Sequence, residues 1–173
     1  MQFKNQESES VFMKKVVELI DAAICFVYNS SGQVLIGKKR FGLEQGQIVF
    51  PGGKMEVNEL PSACCVREVL EETGIFLAQI KPKHIVKMYR IHLGQIIICH
   101  VFESSSFIGK IQDESHELSD IYFADIDQLP IEKMAPEIGL VYPELFSSKR
   151  HYYEFCYANE TLVIKTKSEL FSL

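Results

Sequence analysis

The residues best equipped for chemistry lie between Gly53 and Ile75. Gly53 is followed after five residues by Glu59, and after seven more by Arg67-Glu68-Val69-Leu70-Glu71-Glu72-Thr73-Gly74-Ile75. On a helix, Glu68 stands three residues before Glu71 and four before Glu72, and positions at those spacings share a face. Three carboxylates crowded opposite the apolar side repel one another. A hard divalent cation turns that repulsion into binding, because Mg²⁺ prefers carboxylate oxygens, water and substrate phosphates. Such a cation polarises a phosphorus centre and lowers the pKa of an attacking water. Arg67 is near enough to Glu59 or Glu71 to hold either by a bidentate ion pair. The Gly52 carbonyl is a further candidate ligand, since no side chain there blocks approach.

The element that must present these groups is a helix over the same run. Asn58 is a candidate cap, Pro61 suits the first turn, and Gly74 is the expected stop. Val66, Val69, Leu70 and Thr73 mark a buried side at helical spacing. Before it, the apolar, β-rich Ile20–Tyr28, the turn Asn29-Ser30-Ser31-Gly32 and Val34–Lys39 read as a hairpin. A loop from Arg40 to Gln47 leads to Ile48-Val49-Phe50 and on to the paired glycines. After the helix, His84–Leu93 and Ile96–Phe102 flank Gly94-Gln95 as a second hairpin, followed by a short strand over Ile121–Ala124. Gly139–Ser148 is a candidate second helix, and His151–Tyr157 and Thr161–Lys165, split by Asn159-Glu160, finish as strands. Strands grouped around two helices indicate α+β, or an α/β/α sandwich with a mixed sheet. We expect an N-terminal arm over residues 1–15, whose polar start gives little to bury, and one domain over residues 16–173.

The spacing from Gly53 to Ile75 resembles the signature of the Nudix hydrolases, G-x5-E-x7-R-E-U-x-E-E-x-G-U with U aliphatic. Gly53, Glu59, Arg67, Glu68, Val69, Glu71, Glu72, Gly74 and Ile75 match every defined position. The alternative, a solvated acidic helix face, does not explain the full spacing together with the glycines. The chain is similar in particular to the MutT-type branch that acts on oxidised purine nucleoside triphosphates. Gly37-Lys38-Lys39-Arg40, Gly52-Gly53-Lys54 and the run from Tyr122 to Tyr153 carry that likeness.

The resemblance implies the Nudix fold, in which the box forms a loop–helix–loop. It also implies Mg²⁺, with Mn²⁺ as the alternative, held by Glu68, Glu71, Glu72 and the Gly52 carbonyl. A glutamate beyond the box adds a ligand in that branch; Glu117 falls at the matching place, with Glu114 its rival. Glu59 and Arg67 would orient the cluster, and one glutamate would serve as base for water. The implied products are a nucleoside monophosphate and pyrophosphate. Mammalian members carry a Trp-Pro-Asp-Asp run in the base pocket where this chain has Ala135-Pro136-Glu137-Ile138, and an asparagine where it has Val49. Glu137 is left to meet a purine edge.

Around the box, Lys39, Arg40 and Lys54 are candidates for phosphate contact, with a solvated strand edge as the alternative for Lys38, Lys39 and Arg40. Phe41 and Phe50 could stack on a base or belong to the core. His116, beside Glu117, is a weaker candidate for the site, and His100 reads as a core residue. Other substrates with the same chemistry are ADP-ribose, dinucleoside polyphosphates and RNA 5′ ends. A non-catalytic nucleotide-binding regulator is the reading from another class.

The net charge of −5 excludes an overall basic surface for DNA or an anionic membrane, so we expect a small-molecule nucleotide partner and a monomer or homodimer. Cys25, Cys64, Cys65, Cys99 and Cys156 show no metal spacing and sit in apolar runs, which with the polar start points to the reducing cytoplasm.

Overall fold

The computed structural model describes residues 18–42, 44–158 and 161–170; the arm expected over residues 1–15 lies outside them. The strands are β1 (Glu18–Val27), β2 (Val34–Lys39), β3 (Ile48–Val49), β4 (Gly52–Lys54), β5 (Ile75–Arg90), β6 (Gln95–Gly109), β7 (Leu118–Ala124), β8 (His151–Ala158) and β9 (Thr161–Glu169). The helices are α1 (Pro61–Thr73) and the short α2 (Pro136–Val141). A mixed sheet runs β4-β1-β6-β5-β8-β9, with β1 parallel to β6 and β5 parallel to β8. A smaller antiparallel sheet runs β3-β2-β7. This is the α+β architecture expected.

The second half of β1 is covered on both faces, so the alternation along it assigns its side chains to two cores. Ala23, Cys25 and Val27 pack with Cys64, Cys65 and Val69 of α1. Phe26 points the other way, into a cluster with Phe50, Val101, Val141, Leu145, Tyr153 and Phe155. Each such large side chain, removed from water, contributes about 1.5–3 kcal/mol.

Three sequence expectations are corrected. β1 and β2 are not a hairpin: after the single bridge Tyr28–Val34 they part into different sheets. Asn58 does not cap α1; it takes a left-handed φ of 65° in the preceding turn, and Leu60 occupies the cap position without a side-chain hydrogen bond. The second helix ends at Val141 rather than continuing to Ser148, because Pro143 lacks an N–H and disfavours helical backbone at Tyr142, which is extended.

The Gly94 hairpin forms, and it is longer than its apolar core, with β5 and β6 paired from Ile75↔Gly109 to Arg90↔Gln95. The final pair β8–β9 is antiparallel as read. No helix among the described residues is long and apolar enough to cross a membrane.

Candidate active site

α1 begins at Pro61 and stops at Gly74, whose left-handed φ of 77° lets its N–H return to Leu70 O at 2.9 Å. The buried face runs through Cys65, Val69 and Thr73, while Leu70 turns out to be 43% exposed. Successive helical residues are rotated by about 100°, so Glu68 and Glu72 lie nearly in line beside that buried face. Both are buried. Glu71 stands off this line, with its side chain 61% exposed. The three carboxylates are therefore not crowded together opposite the apolar side: two are driven inward and one stays in water.

The paired glycines explain how two glutamates fit there. At Gly52, φ is 149° and a Cβ would collide with the backbone oxygen of Ala23. Without that Cβ, the Gly52 N–H donates to Glu72 Oε2 at 2.8 Å. A Cβ on Gly53 would stand 2.5 Å from the Glu68 carboxyl carbon. Gly53 is the space into which the Glu68 carboxylate is seated, whereas Gly52 lets the strand pass close to Ala23 while its N–H holds Glu72.

Two cations of the chain hold the cluster. Arg67 grips Glu59 through Nε and Nη2, both at 2.9 Å, and reaches Glu68 at 2.8 Å and Glu71 at 3.3 Å through Nη1. Its Nη2 also donates to the Lys54 carbonyl at 3.1 Å. Lys39, at the end of β2, lies 2.6 Å from Glu117 and 3.2 Å from Glu72. Glu114 does not join; it stands 3.8 Å from Arg40 with its side chain 72% exposed.

The electrostatics follow from burial and from these pairs. Burial, against the pull of Lys39 and the Gly52 N–H, raises the Glu72 carboxyl to about 7. Burial likewise raises Glu68, though Arg67 opposes it. Hydrogen bonding to Arg67 pulls Glu59 down to about 2, and Lys39 lowers Glu117. Burial works against the charge on Lys39, but Glu117 and Glu72 outweigh it and raise its pKa. Among the described residues, no three His, Cys, Asp or Glu side chains already stand as a ready ligand set. Lys39 and Arg67 hold the carboxylates instead.

The remaining candidates separate. Arg40 donates to Ser115 O at 2.7 Å and so fastens the loop that carries Glu117. Lys54 contributes its carbonyl to Arg67 while its side chain is exposed. Phe50 is corrected: it is 5% exposed and packs on Phe26, with ring centres 4.7 Å apart, inside the core. Phe41 is exposed and lies 5.4 Å from the ring of His116.

Glu137 lines a cavity of about 330 Å³ together with Gln47, Arg90, His92, Ala135 and Tyr157. That volume is at the lower end for small-molecule sites. Tyr157 donates its hydroxyl to Glu137 at 2.6 Å. The cavity adjoins the acidic cluster through backbone pairing: Lys39 N–H donates to Gln47 O at 2.9 Å, and Gly46 N–H to Lys39 O at 2.8 Å. Sequence reading found Glu137 here and missed Arg90, Gln47 and His92. None of them carries a motif, and they converge only through tertiary pairing.

A family model described as NUDIX domain matches residues 18–145. An oxidized purine nucleoside triphosphate hydrolase of Danio rerio is 27% identical over 136 residues, spanning 79% of this chain and 86% of its own length. Its namesake in Mus musculus is 24% identical over 132 residues, spanning 76% and 83% respectively. The crystal structure of a MutT protein from Bacillus halodurans superposes with a TM-score of 0.72 at 26% identity, covering 86% of this chain and 97% of that one.

Proposed function

This chain belongs to the NUDIX family, and on that premise we propose that it is a Mg²⁺-dependent pyrophosphohydrolase of nucleoside triphosphates, an oxidised purine such as 8-oxo-dGTP foremost among them. The names of its zebrafish and mouse relatives support the substrate class. The observation that carries the chemistry is the seating of Glu68 and Glu72 against Gly53 and Gly52, with Arg67 and Lys39 balancing them.

The donor set fits a hard divalent cation. It consists of oxygens alone: Glu68, Glu71, Glu72, Glu117 and the Gly52 carbonyl. Carboxylates outnumber cations in the cluster, with Glu59, Glu68, Glu71, Glu72 and Glu117 set against Lys39 and Arg67. Mg²⁺ held there would offset the charge of the triphosphate and make the phosphorus more open to attack. Mn²⁺ presents the same preference for oxygen ligands.

The protein's own part is positional. Arg67 and Glu59 fix the face of α1, and Gly52 N–H holds one Glu72 oxygen. Lys39, the last residue of β2, and Arg40 just after it stand beside the cluster, where they meet phosphate oxygens, and Lys54 adds a further positive charge. A glutamate of the cluster accepts the proton of the attacking water. The α–β bridge bond breaks, and a nucleoside monophosphate and pyrophosphate leave. The cavity beside Lys39 takes the base, and the catalytic unit extends over residues 16–173. Five free, buried cysteines support a cytoplasmic location.

The test is chromatographic product analysis with Mg²⁺ over ordinary and 8-oxo-purine triphosphates, ADP-ribose and diadenosine polyphosphates. Wild type runs beside Glu72→Gln. Triphosphate turnover lost in the variant supports the proposal. Preference for ADP-ribose or a dinucleotide rejects the substrate class, and turnover of none rejects catalysis on these nucleotides.

A further inference from the structure

We infer that Arg90 determines base specificity, and that together with Glu137 it selects a 2-amino-6-oxopurine over a 6-aminopurine. The inference rests on the nucleotide reading above and adds to it which edge of the base is recognised, and by what.

Arg90 is the last residue of β5 and pairs in register with Tyr157 of the parallel strand β8. Tyr157 holds Glu137 by its hydroxyl at Oε2. These three residues therefore converge on one wall of the same cavity. The guanidinium is weakly engaged: its nearest carboxylate oxygen, on Glu44, is 4.0 Å away, and the side chain keeps 20% exposure. Several of its five N–H donors remain available to a ligand. Tyr157 orients Glu137 through Oε2, and the carboxylate keeps lone pairs on both oxygens to accept. Gln47 lines the wall nearest Lys39.

The cavity thus offers acceptor oxygens at Glu137 beside a donor array at Arg90. A 2-amino-6-oxopurine presents the complement on one edge: N1–H and the 2-amino group donate, and the adjacent O6 accepts. The carboxylate takes the two donors, and Arg90 takes O6. A 6-aminopurine reverses the pattern, turning N1 into an acceptor facing the carboxylate and O6 into a donor facing the guanidinium. Both mismatches leave desolvated polar groups unpaired, the strongest means of rejection a pocket has. Guanine and 8-oxoguanine share this edge. The cavity accordingly selects the class of base, and oxidation at the imidazole ring is read elsewhere or not at all.

The measurement is calorimetric binding of dGMP and dAMP to wild type, Arg90→Leu and Arg90→Lys, with thermal unfolding as a check on folding and dGTP and dATP turnover alongside. Wild type is expected to favour dGMP by about tenfold to a hundredfold, the worth of a good Arg–base pair. Arg90→Leu is expected to bring the two within about threefold at an unchanged unfolding temperature, and Arg90→Lys to fall between, since it keeps charge and loses the planar fork. Equal binding by wild type, binding of neither monophosphate, or an unchanged ratio in Arg90→Leu overturns the inference. A guanine preference lost in Arg90→Leu without turnover of any triphosphate upholds it and rejects the hydrolase reading instead.

Discussion

Lys39 and Glu72, 33 residues apart in sequence, meet at 3.2 Å, with the Glu72 side chain 3% exposed and Lys39 reaching it from the end of β2. The pair joins the smaller sheet to the box helix. Removing one partner of a buried pair leaves the other charge uncompensated and costs several kcal/mol, and the partial exposure of Lys39 and Glu117 reduces that figure. Lys39→Met is expected to destabilise the metal-free protein by about 1–3 kcal/mol, and added Mg²⁺ to recover more stability in the variant than in wild type. Equal recovery in urea titrations of the two proteins counts against Lys39 as the balancing charge.

The two glycines make separable predictions. Gly52→Ala sets a Cβ against the backbone oxygen of Ala23 at a φ of 149°, where neither the strand nor the side chain can give way. A loss of about 2 kcal/mol or more is expected. Gly53→Ala meets a side chain, the Glu68 carboxylate, which moves aside, so turnover falls with a smaller loss of stability. The reverse order in paired melts and rate assays would contradict this account of the seats.

Arg67 engages Glu59, Glu68 and Glu71 at once. Lysine supplies one point charge and cannot span them. Arg67→Lys is expected to lower metal affinity or turnover by about tenfold to a hundredfold, the usual cost of losing an orienting partner. Mg²⁺ titration of turnover separates the two effects, and wild-type values in the variant would remove Arg67 from the orienting role.

His84 supplies a pH prediction away from the site. It is 2% exposed, its Nε2 lies 2.9 Å from Leu145 O, and its Nδ1 accepts the His151 N–H at 3.0 Å. Burial, helped by the neighbouring positive charge of Lys83, lowers its pKa from 6.5 to about 4. Between those values the unfolded chain binds a proton that the folded one refuses. This contribution to stability is complete above about pH 6.5 and declines as pH falls toward 4, by about 3 kcal/mol in all. Imidazole NMR shifts for His84 titrating near 6.5 in the folded protein would show the prediction wrong.

The box was legible because its chemistry is local. One helix turn sets Glu68 and Glu72 in line, and Gly53, Arg67 and Glu59 lie within the same short stretch. Gly74 was legible as a stop for the same reason. The parting of β1 and β2 was not, since turn residues such as Asn29 and Gly32 look alike whether the strands they join stay paired or separate. Leu70 was misread as buried because an apolar residue at the right period does not say where the face ends. Arg90 was invisible: a lone arginine at a strand end acquires meaning only when β8 brings Tyr157 and Glu137 to it. Phe50 was ambiguous in sequence, and packing against Phe26 decided it.

The backbone pairing of Lys39 with Gln47 is a party wall, with the acidic cluster on one side and the cavity on the other. Residues facing the cavity come from the loop before β3, the end of β5 and the turn after it, β8 and the start of α2, whereas the carboxylates come from α1, the turn before it and the loop before β7. Substitutions at Arg90, Ala135 or Glu137 therefore redraw what is admitted without touching the machinery next door. A lineage built on this plan can change its diet while its teeth stay the same.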